Sequence, residues 1–528
     1  MAVGVAHSVA LQGIAGTVVT VEADAGHGLP GISIVGLGDT AVAEAKDRIR
    51  IACLNAGLGW PKTKVVLSLS PASLPKHGSG FDLAMIAAVL DARTDVSDQM
   101  HARIAGTMFL GEVGLDGTVR AIPGVLPAVR AAREEGWRRF IVPAANLQEA
   151  LLVDGIEVAG VAHLEQLGHW LTTGAGLNSA DATAVHYVTP SPPAKADLAD
   201  VIGQPLARQA VEIAAVGGHH LLMIGPPGSG KSMLASCLPG ILPPLSPEAR
   251  LELSAVHSVA GLLNPQQPVV FHPPFIAPHH SVTRSALIGG GSGVPQPGAV
   301  SLAHCGVLFL DEAAEIAAGV LDSLRTPLEL GEVSLTRSRY QVTYPAQAQL
   351  VMAANPCACG AAEPSSCTCA STVRRRYNNR FSGPLLDRID LVVPTAKPVA
   401  AITDDTAESS AIVAERVAEA RQRADARWRS APELAADVSS RTVMGIRDLR
   451  TAQISGKLLR RHFPGDEAAM AFLQAQLALG QISQRGVDRT LRVAWSLADL
   501  AARQQPTIDD VAGAIALHEY ISELNNVA

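Results

Sequence analysis

The eight residues from Gly225 to Ser232 read GPPGSGKS, which is the spacing of a glycine-rich loop that can hold nucleotide phosphates. Glycines permit the tight turn and let backbone N–H groups approach phosphate, and the following helix N-terminus adds a favourable dipole. Lys231 would place a cation on the β- and γ-phosphates, and the Ser232 hydroxyl can bind Mg²⁺. The predicted phosphate cradle consists of Gly225, Pro226, Pro227, Gly228, Ser229, Gly230, Lys231 and Ser232.

An acidic pair follows a second apolar run further along the chain. The run Val307–Leu310 is typical of a strand buried on both faces, and it leads into Asp311 and Glu312. Asp311 would hold Mg²⁺ and Glu312 would polarise the attacking water as a general base. An apolar run followed by Asp-Glu also occurs at ordinary strand ends, but its place downstream of the glycine loop favours the nucleotide role.

Three further polar residues follow in an order that suits nucleotide hydrolysis. Asn355 ends a third apolar strand, where its amide could orient the lytic water or simply form an Asn-Pro turn. Arg388 lies between Asp387 and Asp390, so it is either a local ion-pair partner or an arginine finger that reaches the γ-phosphate of a neighbouring subunit. Arg485 opens a C-terminal helix and could sense the nucleotide from there.

The elements that position these residues divide the chain into four segments. Residues 1–174 alternate strand-like and helical runs, such as KVVLSLSPA and RRFIVPA against FDLAMIAAVLDA and VLPAVRAAREEG. Residues 175–197 are small, polar and Pro-rich, which predicts a linker. A second α/β segment runs over 198–398, and 399–528 is mostly helical, as in AIVAERVAEARQRADARW and DRTLRVAWSLADLAARQ.

Composition limits the kind of protein. The 528 residues are 48% apolar and carry a net charge of −7, which excludes a uniformly basic nucleic-acid coat but not local basic patches. The first residues, MAVGVAHSVALQGIAG, lack a basic start before a long apolar core, so we expect no secretory signal. No run approaches the ~18 apolar residues of a membrane helix. We therefore expect a cytoplasmic protein that does not bind membranes.

Taken together, these motifs resemble the AAA+ ATPases of the branch that contains magnesium chelatase and the MCM helicases. The strings FIAPHHSVTRSALIGGGSGVPQPGAVSLAHCGVLFLDE (275–312), LELGEVSLTR (328–337) and SGPLLDRIDL (382–391) resemble the magnesium-chelatase-like ATPases known as ComM or YifB. The resemblance implies an α/β AAA+ P-loop core, a C-terminal helical lid, and ATP with Mg²⁺ as cofactors. It further implies a homo-hexameric ring that migrates branches or unwinds DNA in recombination, notably of transforming DNA.

The same resemblance places basic residues where single-stranded or branched DNA would pass. GEVSLTRSRYQVTYPAQAQ corresponds to a β-hairpin that points into the central pore, and it carries Arg337 and Arg339, which could meet phosphates. Arg337 has a competing role, because its counterpart in chelatase-type subunits acts in trans on the nucleotide. The run VRRRYNNR (373–380) is either a second DNA contact or a solvated basic face.

The N-terminal segment resembles the proteolytic domain of Lon-type proteases, an S5-type α+β fold, in KHGSGFDLAMIA (76–87) and GEVGLDGTVRAIPG (111–124). Those enzymes use a Ser–Lys dyad, in which the lysine takes the serine proton. Here Gly80 takes the serine position, Ser79 is displaced by one residue, and Leu126 takes the lysine position. We therefore expect no protease activity, and instead a role in assembly or in binding nucleic acid or a partner.

Four cysteines cluster directly after the Asn355 strand, in the pattern CACGAAEPSSCTC (357–369). Cys357, Cys359, Cys367 and Cys369 suit a structural, tetrahedral Zn²⁺ with no open position, and the alternative is four reduced thiols. The adjacent pair His279 and His280 could also hold a metal, but no carboxylate flanks the two residues in sequence, so we favour a structural or hairpin-positioning role.

Three other functions remain open at the level of sequence. A magnesium-chelatase ATPase subunit would share this ATPase core, although no porphyrin-metal site is apparent. An ATP-dependent protease would need an unusual dyad. An ATP-regulated scaffold without translocation would carry the same hydrolysis residues.

Overall fold

The computed structural model of the chain describes residues 3–26, 28–36, 38–181, 196–291, 293–337, 340–361, 366–396, 407–431 and 449–526. Most of the predicted linker, at 182–195, lies outside the described residues, and so does the second hairpin arginine, Arg339.

The N-terminal part is built on a mixed eight-stranded sheet. Its strands are β1 (Gly4–Gln12), β2 (Ala15–Ala25), β3 (Gly31–Val35), β4 (Lys64–Ser70), β5 (Met108–Phe109), β8 (Arg139–Pro143), β9 (Glu157–Val161) and β10 (Asn178–Asp181). The two strands β6 (Glu112–Val113) and β7 (Val119–Arg120) form a separate ladder. The order in the large sheet is β10-β9-β8-β5-β1-β2-β4-β3. The strands predicted from KVVLSLSPA and RRFIVPA are β4 and β8, so these two predictions are confirmed.

Six helices cover this sheet: α1 (Thr40–Asn55), α2 (Asp82–Asp91), α3 (Asp98–Ala105), α4 (Val125–Glu134), α5 (Leu147–Ala150) and α6 (Leu164–Thr173). Helices α2 and α4 are the two predicted from sequence. Helix α2 is buried along its whole length, as its apolar sequence requires. Gly4 on β1 makes this possible, because a Cβ at that position would lie 2.1 Å from the Ala88 carbonyl oxygen.

One part of the predicted linker is a strand. Residues 178–181 form β10, which runs antiparallel to β9 with Asn178 opposite Gly160. This pairing satisfies backbone groups of β9 that would otherwise form an open sheet edge. The polar composition of the segment therefore hid an edge strand.

The central part is a five-stranded parallel sheet. Its strands are β11 (Leu221–Ile224), β12 (Phe275–Ile276), β15 (Val307–Leu310), β18 (Gln349–Ala354) and β19 (Leu391–Pro394), in the order β12-β15-β18-β11-β19. Strands β11, β15 and β18 are buried throughout, which explains their continuous apolar runs. The carboxyl ends of parallel strands meet at one edge, so residues that follow β11, β15 and β18 are brought together there.

Nine helices and two small ladders complete the central part. The helices are α7 (Pro205–Gly217), α8 (Lys231–Ile241), α9 (Pro247–Val259), α10 (Arg284–Ile288), α11 (Ala299–Leu302), α12 (Ala318–Asp322), α13 (Arg325–Leu330), α14 (Ser371–Asn378) and α15 (Gly383–Leu386). One ladder pairs β13 (Gly289–Gly290) with β14 (Gln296–Pro297), and the predicted hairpin pairs β16 (Glu332–Arg337) with β17 (Tyr340–Pro345). This count applies to the residues the structure describes.

The C-terminal part is helical, as predicted: α16 (Ser410–Arg429), α17 (Gly456–His462), α18 (Glu467–Ala478), α19 (Gln484–Leu500) and α20 (Ile508–Asn526). Trp428 is 2% exposed and packs edge-on against Phe463 and Trp495. The Arg427 guanidinium lies 3.8 Å from the centre of the Trp495 ring and forms an ion pair with the buried Asp499. This aromatic and ionic contact fixes α16 against α19.

The N-terminal and central parts share a buried interface. Apolar residues of β1 and α4 form one core cluster with residues of α9 and β17: Val9, Val125, Leu126, Val129, Ala255, Val256, Val342 and Tyr344. The Glu149 carboxylate is buried within this interface and accepts hydrogen bonds from the Leu126 N–H, the Asn146 amide and the Ser258 hydroxyl. The hairpin and α9 are therefore packed directly onto the N-terminal sheet.

Replacing Glu149 with alanine is expected to destabilise this interface by about 3 kcal/mol, because three buried donors lose their acceptor. The check is a shift in the urea midpoint of the transition that involves the N-terminal part. The control is Glu157→Ala, which removes only the exposed ion pair with Arg139 and should cost ~0–1 kcal/mol. Equal shifts in the two variants would contradict the structural role given to Glu149.

Candidate functional site

The glycine loop lies between β11 and α8. Gly228 and Gly230 have φ values of 76° and 80°, in the left-handed region that favours glycine. At Gly225 a Cβ would lie 2.1 Å from the hydroxyl oxygen of Thr395, the residue that follows β19. There is therefore no room for a side chain at Gly225. The loop conformation therefore requires glycine at the positions that the motif specifies.

Lys231 is the first residue of α8 and is only 8% exposed. Its Nζ donates to the carbonyl oxygens of Gly225 at 2.7 Å and Pro226 at 2.9 Å. Burial lowers the pKa of the Lys231 ammonium, and the negative charges of Asp311 and Glu312 offset this effect only in part. An anion that entered the loop would supply the missing negative partner.

The two predicted magnesium ligands are brought into direct contact. The Ser232 hydroxyl donates to Oδ2 of Asp311 at 2.6 Å, although the residues are far apart in sequence. The other carboxylate oxygen of Asp311 accepts the Glu312 N–H at 2.9 Å, which fixes the carboxylate plane. One hydroxyl and one carboxylate fit Mg²⁺, since this ion keeps most of its water and takes few protein ligands beside nucleotide phosphates.

Asn355 lies at the same edge of the sheet. Its side-chain oxygen is 3.3 Å from the Lys231 Nζ, so the ends of β11 and β18 meet as their parallel register requires. The Tyr377 phenol, buried on α14, contacts the backbone of Asn355. Burial also raises the pKa of Tyr377. Tyr377 is thus a support for Asn355 that the sequence did not indicate, and it is not part of the exposed basic face of α14.

Glu312 has a left-handed backbone, with φ 47° and ψ 40°, which is unusual for a residue with a side chain. Its Oε2 lies 2.9 Å from Nδ1 of His280. His279 instead contacts the Ser281 hydroxyl at 2.8 Å. The two histidines therefore have different partners, and the carboxylate absent from their sequence neighbourhood is supplied in space by Glu312.

The two candidate arginines outside the hairpin contact carboxylates of the central part, on α13 and directly after α15. Arg388 pairs with Glu329 and donates to the Pro384 carbonyl oxygen at 2.6 Å. It does not pair with the flanking aspartates, as a local ion pair would require. Asp390 is buried and contacts His219 at 3.2 Å. Asp387 instead pairs with Arg485 at 3.2 Å.

The described contacts of Arg388 and Arg485 do not include the glycine loop of the same chain. The same holds for Arg337, which is the last residue of β16 and is exposed. Its guanidinium lies over Gly290, because a Cβ added to Gly290 would be 3.6 Å from it.

The four cysteines of the predicted cluster lie together. Their sulfur atoms are all within 4.8 Å of one another, and Cys357 and Cys367 are 3.3 Å apart. Tetrahedral Zn²⁺ with Zn–S bonds of about 2.3 Å places sulfurs about 3.8 Å apart, so the cluster is compatible with zinc. Its loop also touches the phosphate loop, because a Cβ at Gly360 would lie 2.9 Å from Pro227.

The residues at and near the Lon-type catalytic positions form separate contacts. Leu126 is buried in α4, and Lys76 is buried with its Nζ donating to the carbonyl oxygens of Leu69 and Pro71. Ser79 donates its hydroxyl to Glu112. A Ser–Lys pair is absent from these described contacts.

In the central sheet the glycine loop with its lysine follows β11, the asparagine follows the neighbouring strand β18, and the Asp-Glu pair follows β15, the next strand beyond. This arrangement defines a P-loop nucleotide hydrolase of the AAA+ class. The sequence matches the family "Magnesium chelatase, subunit ChlI" at residues 197–402, "Subunit ChlI of Mg-chelatase" at 21–146, and the ChlI C-terminal family at 407–518. These matches together span most of the chain and agree with that class.

Full-length relatives show that the chain belongs to the magnesium-chelatase-like AAA+ ATPases of the ComM/YifB group. An uncharacterized protein of Mycobacterium tuberculosis H37Rv is 51% identical over 98% of this chain and 99% of its own length. The uncharacterized protein YifB of Salmonella typhimurium is 37% identical over 96% of this chain and 95% of its own. The competence protein ComM of Haemophilus influenzae is 35% identical over the whole of both chains.

Family membership confirms the expected α/β fold class and implies ATP hydrolysis. Among the residues described, no helix is both long enough and apolar enough to cross a membrane.

Proposed function

We propose that this ATPase forms a homo-hexameric ring that uses ATP hydrolysis to drive branch migration or unwinding of DNA in recombination, including integration of transforming DNA. The observation that carries the proposal is the arrangement of its arginines. The residues to which we assign hydrolysis lie at one sheet edge, whereas the Arg388 guanidinium is bound to Glu329 of α13, outside its own phosphate loop. A cation placed in this way serves hydrolysis only if a neighbouring subunit brings it to the phosphate.

Each residue of the sheet edge has a defined task in this proposal. Lys231 binds the β- and γ-phosphates, and Ser232 with Asp311 holds Mg²⁺, which neutralises charge on those phosphates when bound. Glu312 accepts a proton from the attacking water, which Asn355 orients. Arg388 of the adjacent subunit stabilises the charge on the departing γ-phosphoryl group.

Exposed cations give the DNA-binding part of the proposal its physical basis. Arg337 is exposed at the end of the hairpin, and Arg375 and Arg376 are exposed on α14. Such side chains attract a polyanion despite the net charge of −7 for the whole chain. The name of the ComM relative, a competence protein, points in the same direction.

The decisive experiment measures ATP hydrolysis with single-stranded DNA, duplex DNA and a four-way junction, alongside displacement of a labelled strand. We expect DNA to stimulate hydrolysis strongly and the strand to move. A protein that stays monomeric with ATP and whose turnover ignores every polynucleotide would contradict the proposal. The match to ChlI also favours a second candidate, an ATPase subunit of a metal insertase, which would be indifferent to DNA.

We also propose that the cysteine cluster holds one structural Zn²⁺. Replacing Cys357, Cys359, Cys367 and Cys369 together with serine is expected to reduce bound zinc from about one equivalent to none, because serine removes all four thiolates. Metal analysis of the purified protein provides the measurement. The control is Cys53→Ser, since Cys53 is buried in the N-terminal core and burial raises the pKa of its thiol to about 12. Unchanged zinc in the four-cysteine variant would rule the site out.

A further inference from the structure

The hairpin formed by β16 and β17 has one apolar face and one polar face. Residues paired across an antiparallel ladder lie on the same face, and the face alternates along each strand. The apolar face consists of two cross-strand pairs, Val333 with Tyr344 and Leu335 with Val342. The polar face is exposed or half-buried and consists of Ser334, Thr336, Gln341 and Thr343. A hairpin alone is marginally stable in water, so its apolar face needs support from elsewhere in the molecule.

The N-terminal part supplies that support to β17. Val342 is 2% exposed and Tyr344 is fully buried, and both belong to the core cluster that contains residues of β1 and α4. Leu335 of β16 packs against the same cluster, whereas Val333 lies in a cluster of the central part. Strand β1 also contacts β17 directly. The hairpin is therefore held between the two parts, with its polar face and Arg337 left accessible.

The turn between β1 and β2 sets how closely β17 approaches the N-terminal sheet. Gly13 in this turn is buried and has a φ value of 67°. A Cβ added there would lie 2.9 Å from the Thr343 carbonyl oxygen and 3.5 Å from the Val342 Cβ, so a side chain at position 13 would displace the β17 backbone. The adjacent Ile14 is buried in the shared core cluster and anchors the turn.

The hairpin is also connected to the nucleotide site along the chain. It continues through residues 346–348 into β18, which ends directly before Asn355, the residue in contact with Lys231. The base of the hairpin is closed by a hydrogen bond from the Ala346 N–H to the Gly331 carbonyl oxygen at 2.7 Å. Support at β17 therefore keeps the accessible hairpin residues at a defined position. A surface that is ordered in advance binds with a smaller loss of conformational entropy.

We propose that the β1–β2 turn, together with the apolar surface of β1 and α4, orders the hairpin before its accessible residues meet the phosphates of single-stranded DNA. Gly13 and Val342 are positioning residues in this contact, because both are buried and act through the accessible residues of the hairpin. The proposal gives the N-terminal part a task in DNA binding, and it rests on the function proposed above.

The test measures binding of a fluorescently labelled single-stranded DNA to the full chain, with Gly13→Ala as the first variant. We expect the Kd for DNA to rise about tenfold, because a displaced hairpin must be ordered when DNA binds. The DNA-free kcat and the KM for ATP should not change, since no described contact joins Gly13 to the residues of the nucleotide site. Amide hydrogen exchange in β16 and β17 should become faster, which reports the loss of support without any DNA.

The matched control is Gly57→Ala, which follows α1 in the same part of the chain. Gly57 has nearly the same backbone conformation, with a φ value of 70°, but a Cβ there would meet no atom within 4 Å. Alanine at this position therefore introduces the same backbone strain without displacing a neighbouring strand. Its Kd for DNA and its hairpin exchange should equal those of the unaltered protein.

Val342→Ala weakens the same contact from the hairpin side, by removing apolar atoms buried against the N-terminal part. It should also raise the Kd for DNA, and it decides the question if Gly13→Ala does not fold. A folded variant of either kind that binds DNA as tightly as Gly57→Ala would overturn the inference and leave the proposed function intact. An unaltered protein that binds no DNA would overturn both.

Discussion

Lys231→Ala is expected to lower ATP turnover by about two to three orders of magnitude, the usual cost of removing a charged group that stabilises the transition state in a sheltered site. The Lys231 ammonium is buried in the loop and contacts only carbonyl oxygens, a hydroxyl and the Asn355 amide oxygen among the described residues. Its charge has no carboxylate in direct contact, so it is available to the β- and γ-phosphates of ATP. Alanine leaves the loop without that cation.

The measurement is phosphate release at saturating ATP and Mg²⁺, combined with thermal unfolding to show that the variant folds. The thermal midpoint should change little, because the short hydrogen bonds of the lysine lie within its own loop and its contact with the Asn355 side-chain oxygen is long, at 3.3 Å. Lys457→Ala, which removes an exposed lysine at the start of α17, should retain full turnover. Normal hydrolysis by Lys231→Ala would refute the assignment of the nucleotide site.

The residues at the sheet edge were predictable because strand ends follow a simple rule. Continuous apolar runs indicated β11, β15 and β18 as buried parallel strands, and parallel strands end at one edge. The contacts of Ser232 with Asp311 and of Lys231 with Asn355 follow from that rule. The cysteine cluster was predictable for a different reason, since all its members lie within one short loop.

The contacts that sequence did not reveal all join residues on separate elements. His280 meets Glu312 across two neighbouring strands, and Arg388 meets Glu329 across α13 and the turn after α15. In both cases the nearest carboxylate in sequence is not the partner in space. The interface through Glu149 depends on how two folded parts dock, for which no local pattern exists.

Arg388→Ala is expected to lower turnover by about 10³-fold if the arginine acts as a finger between subunits. The Arg388 guanidinium is bound to the exposed Glu329, and both flanking aspartates have other partners, so the local ion pair that the sequence neighbours suggest does not form. An exposed ion pair is worth about 1 kcal/mol or less, so a subunit interface can displace it at little cost.

Mixed rings separate a finger in trans from a residue that serves its own subunit. Glu312→Gln removes the general base but leaves Arg388 in place, so such a subunit is inactive at its own site and can still donate the arginine. Mixing it with Arg388→Ala subunits should restore hydrolysis, with a maximum at intermediate ratios, because each Arg388→Ala site beside a donor is complete. No recovery at any ratio would count against a finger in trans at Arg388. The same mixture made with Arg337→Ala decides between the two candidate arginines, since only the true finger is rescued by a neighbour that lacks its own base.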